Sequence, residues 1–272
     1  MWETSDHVNA NVCKRLGADR IYDIAWTFPL ALDMGCGKSH IAENLSKDVV
    51  EQMFLSDISN ASLRLNRQSE MPTHCMMADE DFLPFQENTS DLVVSNLSLH
   101  WINDVPGALR QVHRVLKPDG VFVGAMVGGV TLYELFPAAH RVGRVGHAHC
   151  FQCARIQITD SLFFIATFID VDEIQVHYPG MFEIMSDLQG EMSQKCLDTW
   201  NMKPMLHRDT ILAVAAIYKE MYGSEDGFVP ATFDILFMIG WKPHESQRGH
   251  VVCRFGKIRS QTSINTDKSD TS

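Results

Sequence analysis

A short glycine loop is the segment whose residue types and spacing best suit ligand binding. Gly35 and Gly37 follow an apolar run that ends near Asp33, and they precede a helical pattern. Glycine lets the backbone turn sharply and approach a ligand closely, and the N–H groups at a helix start offer free donors to an anionic group. Asp33, Cys36 and both glycines are therefore candidate binding residues. Taken alone, the loop fits a simple strand-to-helix turn equally well.

Carboxylates follow the next two apolar runs of the chain. Asp57, followed by Ile58, stands 20 residues beyond Gly37, where doubly wound folds place an acid that accepts hydrogen bonds from ribose hydroxyls. Asp79 and Glu80 follow the third run, where Asp79 is placed to accept a hydrogen bond from an adenine amine. Each acid alone also fits a helix N-cap or a solvated turn. In series after successive strands, the loop and the acids predict one cofactor site.

Two other nucleotide-binding motifs are tested by the same residues. A P-loop needs a glycine at the position of Leu32, so Gly37-Lys38-Ser39 is not part of a P-loop. The dinucleotide fingerprint needs a glycine at the position of His40, where helix and strand approach closely. NAD is therefore the second choice of cofactor.

The elements that must position these residues alternate between short apolar runs and helix-compatible segments from Phe28 to Gly124. This alternation predicts an α/β fold with a doubly wound, mostly parallel sheet. A helix with a proline in its first turn is predicted at Pro106–Leu116, followed by a turn at 117–120, and another helix at Leu206–Tyr222. A closing strand is predicted at Thr232–Trp241. The other predicted strands are Ala31–Met34, Gln52–Ser56, Thr73–Met77, Leu92–Asn96 and Val121–Met126.

Length and composition predict one main domain. The chain has 272 residues, of which 45% are hydrophobic and 21% charged, as in ordinary globular proteins. We expect a helical lead-in at residues 1–27, a domain at residues 28–255 and a disordered polar tail at residues 256–272. The net charge of -11 opposes binding to nucleic acid or anionic lipid, and no apolar stretch has the roughly 18 residues of a membrane span.

The cysteines and the N-terminus bear on the compartment. Seven cysteines form an odd set without the density of a disulfide framework, which favours a reducing compartment. Met1–Asn11 is neither Arg-rich nor acid-poor, so the chain shows no evident import or secretion signal. From the residues alone, cytosol and organelle matrix both stay open.

The motifs together resemble class I S-adenosylmethionine-dependent methyltransferases of the methyltransferase type 11 group. The resemblance is carried by Asp33-x-Gly35-x-Gly37, Asp57, Asp79 and Leu83-Pro84-Phe85 in the order of that family. It implies a Rossmann-like seven-stranded sheet and S-adenosylmethionine as the cofactor, with the methionine carboxylate at the loop. Asn96, at the end of the fourth predicted strand, completes the candidate cofactor site.

A narrower resemblance covers residues 78–129, 172–182 and 239–246, which are similar to the family of mitochondrial complex I assembly factor 5. It implies a matrix protein, peripheral to the inner membrane, that is needed for complex I assembly and is described as an arginine hydroxylase. We therefore expect a protein substrate, a complex I subunit, that is hydroxylated or methylated on a side chain such as arginine. The alternative is an assembly factor whose cofactor site is structural and whose activity is partner binding.

His100 and Trp101 are the candidate catalytic residues. They follow the fourth predicted strand, near the expected position of the transferred methyl group, and His100 is the side chain of suitable type for a base. The residues by themselves favour the simpler explanation, a packed tryptophan and a capping histidine.

The segment from Phe136 to Asp170 departs from the family's sequence, and we expect this divergent lid to fold loosely. It contains a local group of potential zinc ligands, His147, His149, Cys150 and Cys153. Zinc sites usually join two separated ligand pairs, so no metal site is predicted there. His207 and Asp209 have the spacing of iron-oxygenase ligands, but Asp209 stands at a helix start and fits an N-cap.

Overall fold

Seven strands form one sheet in the computed structural model, which describes residues 4–24, 26–38, 40–64, 69–128, 131–141, 166–186, 208–224 and 226–245. The strands are β1 (Phe28–Met34), β2 (Val50–Asp57), β3 (Thr73–Met77), β4 (Ser90–Asn96), β5 (Leu116–Val127), β6 (Ala166–Tyr178) and β7 (Val229–Trp241). They lie in the order β3-β2-β1-β4-β5-β7-β6. β7 is antiparallel to β5 and β6, and the other neighbours are parallel. The predicted α/β fold with a seven-stranded, mostly parallel sheet is confirmed.

Helices connect these strands. The α-helices are α1 (Thr4–Lys14), α2 (His40–Asn44), α3 (Asn60–Arg64), α4 (Val105–Val115), α5 (Leu135–Arg141) and α6 (Arg208–Tyr222), and residues 181–186 are also helical. A π-helical stretch (Arg15–Ile21) and a 3-10 turn (Tyr22–Ile24) continue α1, and a second 3-10 turn (Leu99–Trp101) follows β4. α4 begins one residue before the predicted start and has the predicted proline, Pro106, in its first turn. Its N-cap is Asp104, whose Oδ1 accepts a hydrogen bond from Gly107 N at 2.9 Å.

α4 packs on one face of the sheet. Its Leu109 and Val112 lie in one apolar cluster with Leu32, Val93 and Phe122 of three adjacent strands. Neighbouring strand positions face the other side, as a sheet that is covered on both faces requires. Burial of each of these side chains stabilises the fold by about 1.5–3 kcal/mol.

The N-terminal helices join the apolar cluster on the opposite face. Their fully buried side chains include Val12, Leu16 and Ile21. Two ion pairs tie the same segment to β6, Arg15 with Asp172 and Arg20 with Asp170. The Arg20 guanidinium also lies 5.2 Å from the centre of the Phe237 ring. Apolar burial and charge together hold this segment against the sheet.

A buried polar cluster joins the N-terminal end of α5 and helix α6 to the start of β7. Glu134 is 1% exposed and accepts hydrogen bonds from the hydroxyl of Thr232 and, at 3.4 Å, from its N–H. The Tyr218 hydroxyl of α6 donates to Pro230 O at 2.6 Å. Burial and then the charge of Glu134 raise the pKa of Tyr218. The cluster fixes the start of β7 against both helices.

The strand bounds differ from the predicted ones in a regular way. β3 has the predicted bounds, whereas β1, β2, β4, β5 and β7 begin earlier than predicted. The predicted turn at 117–120 is instead the first part of β5. Although Asp119 has a φ of 68°, its N–H donates to Lys242 O at 3.3 Å, and Lys242 N–H donates to Gly120 O at 2.9 Å. These bonds keep the polar segment in the sheet.

Several predicted features fall partly or wholly outside the described residues. Of the divergent segment, residues 136–141 belong to α5 and residues 166–170 to β6. Residues 142–165, which include the potential zinc ligands, lie outside, as do His207 and the tail at residues 256–272. In the part of the chain that the structure describes, no group of three or more His, Cys, Asp or Glu residues is arranged to hold a metal ion. None of the described helices is long and apolar enough to cross a membrane.

Candidate functional site

The glycine loop lies where the order of the strands reverses. β1 has β2 on one side and β4 on the other, so the connections after β1 and β4 leave the sheet on either side of a crevice. Gly35 and Gly37 follow β1 with φ values of 67° and 52°. Both values lie in the left-handed region that favours glycine, so the loop requires glycine at both positions.

Asp57, at the end of β2, holds this loop. Its Oδ2 accepts a hydrogen bond from Gly37 N at 2.9 Å, and its Oδ1 accepts one from Ser59 N at 2.8 Å. Cys36 N donates to Ser56 O at 3.0 Å. The expectation of free donors in the loop is therefore wrong for Cys36 and Gly37, because neighbouring acceptors in β2 already take their N–H groups. The Asp57 side chain is fully buried.

Gly35 lies against two other strand ends. A methyl group at Gly35 would stand 2.7 Å from Glu80 Oε1 and closer still to the Ser98 hydroxyl. Ser98 follows β4 and donates from Oγ to Glu80 Oε1 at 2.9 Å. Both side chains are buried. The sequence analysis groups Glu80 with the ligand-facing acids and omits Ser98, although a serine two residues after a strand end is a signal for such a site.

Asp79 and two apolar side chains are exposed at the ends of β2 and β3. Asp79 Oδ1 accepts a hydrogen bond from Asp81 N at 3.0 Å, and Phe82 N donates to Asp79 O at 3.1 Å. Phe82 is 71% exposed and Ile58 39% exposed. An exposed acid near apolar side chains suits a ring with a polar edge.

The acids at the end of β3 create a negative potential. The pKa of the Asp81 carboxyl is raised, first by its partial burial and then by the charges of Asp79, Asp104 and Glu80. A cationic ligand would relieve this repulsion.

Asp33 and Asn96 face the same side of the sheet at the reversal point. Asp33 pairs with Val94, and Asn96 lies two residues farther along β4, so their side chains share one face. Asp33 is 1% exposed. Asn96 Oδ1 is buried and has no hydrogen-bond partner among the described residues. Burial and then the charges of Asp33 and Glu43 raise the pKa of the Cys13 thiol in α1.

His100 and Trp101 lie in the 3-10 turn after β4. Both are half-buried, and their ring centres are 4.8 Å apart at a tilt of 45°. The turn is set by Leu97, which has a φ of 48° and donates its N–H to Ala125 O at 2.9 Å. The two rings therefore project from the same sheet edge as the glycine loop.

A family model described as a methyltransferase domain matches residues 32–124. Over 250 residues, covering 89% of this chain and 77% of the relative, the chain is 60% identical to the mitochondrial arginine-hydroxylase NDUFAF5 of Danio rerio. The chain belongs to the NDUFAF5 family. The mitochondrial arginine-hydroxylase NDUFAF5 of Homo sapiens is 50% identical over 267 residues, covering 93% of this chain and 76% of the relative.

The NDUFAF5 family thus shares its fold with methyltransferases. The crystal structure of the YcgJ protein from Bacillus subtilis aligns with a TM-score of 0.57 at 16% identity, covering 85% of this chain and 99% of that one. At this identity the likeness shows the fold alone. Every candidate cofactor residue, from Asp33 to Asn96, falls within the matched methyltransferase domain. The named relatives are mitochondrial arginine-hydroxylases, and a methyltransferase domain model matches the chain, so the NDUFAF5 family is one of enzymes.

Proposed function

We propose that this chain binds S-adenosylmethionine across the ends of β1, β2, β3 and β4 and modifies an arginine side chain of a complex I subunit in the mitochondrial matrix. The observation that carries the proposal is the glycine loop at the reversal of strand order, held in place by buried acids. The loop has one open side, because a methyl group at Gly37 would meet no atom within 4 Å. A ligand can approach the backbone there.

The methionine half of the cofactor fits the face shared by Asp33 and Asn96. Its ammonium group is a donor, and Asn96 Oδ1 is a buried acceptor that no described residue uses. A buried acceptor without a donor is costly, so a ligand donor there is favourable. The Asp33 carboxylate complements the same positive charge. These two residues would hold the amino-acid end.

The adenosine half fits the ends of β2 and β3. Each oxygen of Asp57 already accepts one backbone N–H, and a carboxylate oxygen accepts more than one hydrogen bond. Asp57 would therefore hold Gly37 and also accept from the ribose hydroxyls. Asp79 would accept from the adenine amine, with Ile58 and Phe82 against the ring.

NAD is the less suitable ligand on charge and on space. S-adenosylmethionine carries two cationic groups and one carboxylate, whereas NAD brings two anionic phosphates to a site rich in carboxylates. His40 stands where the dinucleotide fingerprint needs a glycine, and it is 5% exposed, so its side chain fills the close approach between α2 and the sheet.

We propose that the substrate is modified at the carboxyl end of β4, next to His100 and Trp101. Bound S-adenosylmethionine supplies an activated methyl group. His100 would accept or hold a proton at its imidazole, and the Trp101 ring would contact the guanidinium face. The name of the relatives favours hydroxylation, which inserts an oxygen atom into a C–H bond and requires an oxidant in addition to these side chains. Methylation is the second outcome that the fold allows.

The test uses mitochondria that lack this protein and are supplied with the wild-type chain or with Asp57→Ala. Mass spectrometry of the complex I subunits then follows arginine-containing peptides. We expect a wild-type-dependent peptide whose mass has increased by one oxygen atom, and a reduced amount of it with Asp57→Ala.

Other outcomes overturn parts of the proposal. A gain of one methylene unit would replace hydroxylation by methylation. Restored complex I assembly with no modified peptide would support the alternative of an assembly factor with a structural cofactor site.

A further inference from the structure

We propose that Ser98 and Glu80 act as a positioning pair, which sets the place of the glycine loop and thereby the affinity for the methionine half of S-adenosylmethionine. The inference rests on the proposed function. It changes the expected role of Glu80 from a ligand contact to a residue that acts through Gly35, and it adds Ser98 to the site.

The pair joins three connections that are far apart in the sequence. Gly35 follows β1, Glu80 follows β3 and Ser98 follows β4. The hydrogen bond from Ser98 Oγ to Glu80 Oε1 measures 2.9 Å. Both side chains lie so close to Gly35 that a methyl group does not fit at this position. The pair therefore defines how near the β1 and β4 ends approach each other.

Glu80 differs from the neighbouring acid, Asp79, in its burial. Asp79 is exposed, whereas Glu80 is 6% exposed and Ser98 fully buried. Asp79 and Glu80 lie in the turn that follows β3, where Phe82 N donates to Asp79 O at 3.1 Å. This turn directs one carboxylate toward solvent and the next one inward. The inward carboxylate accepts from Ser98, and a hydrogen bond to an ionised group is among the stronger ones in a protein.

Two acids hold the loop at its two glycines. Asp57 accepts from Gly37 N on the side of β2, and the Ser98–Glu80 pair lies against Gly35 on the side of β4. The loop is thus fixed before a ligand arrives, which lowers the cost of ordering it on binding. Loss of the pair should affect the ligand group at the loop more than the groups at the ends of β2 and β3.

The experiment compares two ligands, S-adenosylmethionine and adenosine, by titration calorimetry on the full chain. Adenosine has no methionine half, so it reports on the Asp57 and Asp79 end alone. The variants are Ser98→Ala and Glu80→Gln, whose amide oxygen still accepts from Ser98. Ser95→Ala is the matched control, because Ser95 is also fully buried at the end of β4 but its Oγ has no hydrogen-bond partner among the described residues.

We expect Ser98→Ala to weaken S-adenosylmethionine binding about tenfold, as for the loss of a hydrogen bond to a charged group, and adenosine binding less than about twofold. Glu80→Gln should lose less than Ser98→Ala, and Ser95→Ala should bind both ligands as the wild type does. If Ser98→Ala does not fold, the double variant Ser98→Ala/Glu80→Gln, which removes the donor and the buried charge together, takes its place in the comparison.

If the pair were purely structural, Ser98→Ala would lower the melting temperature and weaken the binding of both ligands by the same factor. That result would overturn the positioning role but not the proposed function. Unchanged S-adenosylmethionine affinity in a folded Ser98→Ala variant would do the same. Absence of S-adenosylmethionine binding by the wild-type chain would instead overturn the proposed function, and the positioning role with it.

Discussion

Replacement of Gly35 by alanine tests the packing of the cofactor loop. The variant places a methyl group 2.7 Å from Glu80 Oε1 and nearer still to Ser98, in a backbone with a φ of 67°. Gly37→Ala and Gly227→Ala are matched controls. Both glycines also have positive φ values, 52° and 85°, but a methyl group at either meets no atom within 4 Å.

The magnitudes separate the three variants. A left-handed backbone costs a non-glycine residue about 1–2 kcal/mol, and all three variants incur this cost. Overlap in a well-packed interior adds about 1–3 kcal/mol, and only Gly35→Ala incurs it. We therefore expect the free energy of unfolding to fall by about 2–5 kcal/mol for Gly35→Ala and by about 1–2 kcal/mol for the controls.

The assay is urea unfolding followed by circular dichroism, with equal slopes required before the free energies are compared. A Gly35→Ala variant no less stable than Gly37→Ala would refute the close approach of Ser98 and Glu80 to the loop. A large loss in Gly227→Ala would show that the backbone cost alone is larger than assumed.

Three further substitutions test the fold around the site. Arg20→Ala removes the ion pair with Asp170 and should lower the free energy of unfolding by roughly 1 kcal/mol, a difference that shrinks in 1 M salt if the interaction is ionic. Thr232→Val removes a donor to the buried carboxylate of Glu134 and should cost about 1.5–3 kcal/mol in urea unfolding, so a loss below about 0.5 kcal/mol would contradict the buried network. Cys13 keeps its proton in the folded state because burial raises its pKa, whereas the unfolded chain releases it above about pH 8.5, so stability should fall as pH rises through that value. Urea unfolding from pH 7 to 10 should show a smaller alkaline loss for Cys13→Ala, and identical pH profiles would contradict the burial of the thiol.

The first strands and the loop between them could be predicted because their signals are local. Apolar runs bounded by glycine or polar residues predicted both bounds of β3 and the last residues of β1 and β4, and they placed the end of β2 within one residue. The two glycines, Gly35 and Gly37, were recognised from their position between a strand and a helix, and both proved to need a positive φ. Short-range patterns of this kind follow from backbone geometry alone.

β6 could not be placed from its own residues. Its polar positions Asp170 and Asp172 pair with Arg20 and Arg15, which lie 150 and 157 residues away in the sequence. An acidic residue in a strand is predicted to be exposed when its partner is unknown. Pairing with a residue far away in the sequence leaves no local pattern from which the partner could be recognised. The sequence predicts a turn at the polar start of β5 for the same reason, since the hydrogen bonds of this segment go to Lys242, directly after β7.

The orientation of the acidic side chains at the site could not be predicted from the sequence either. Asp79 and Glu80 are neighbours of similar chemistry, and only the packing of Ser98 and Gly35 decides that Glu80 turns inward. Likewise, the sequence placed Asp57 at the site but could not show that its carboxylate holds Gly37. The types and spacing of residues locate a site, whereas tertiary contacts assign the direction of each side chain.

The most direct measurement is titration calorimetry of S-adenosylmethionine and of NAD against the purified wild-type chain and Asp57→Ala. We expect S-adenosylmethionine to bind the wild type and NAD to bind more weakly. Asp57→Ala should lose about 1.5–3 kcal/mol of S-adenosylmethionine binding, roughly tenfold or more, with its fold intact by circular dichroism. A folded wild-type chain that binds NAD in preference, or an Asp57→Ala variant with unchanged affinity for S-adenosylmethionine, would contradict the cofactor site described for this protein.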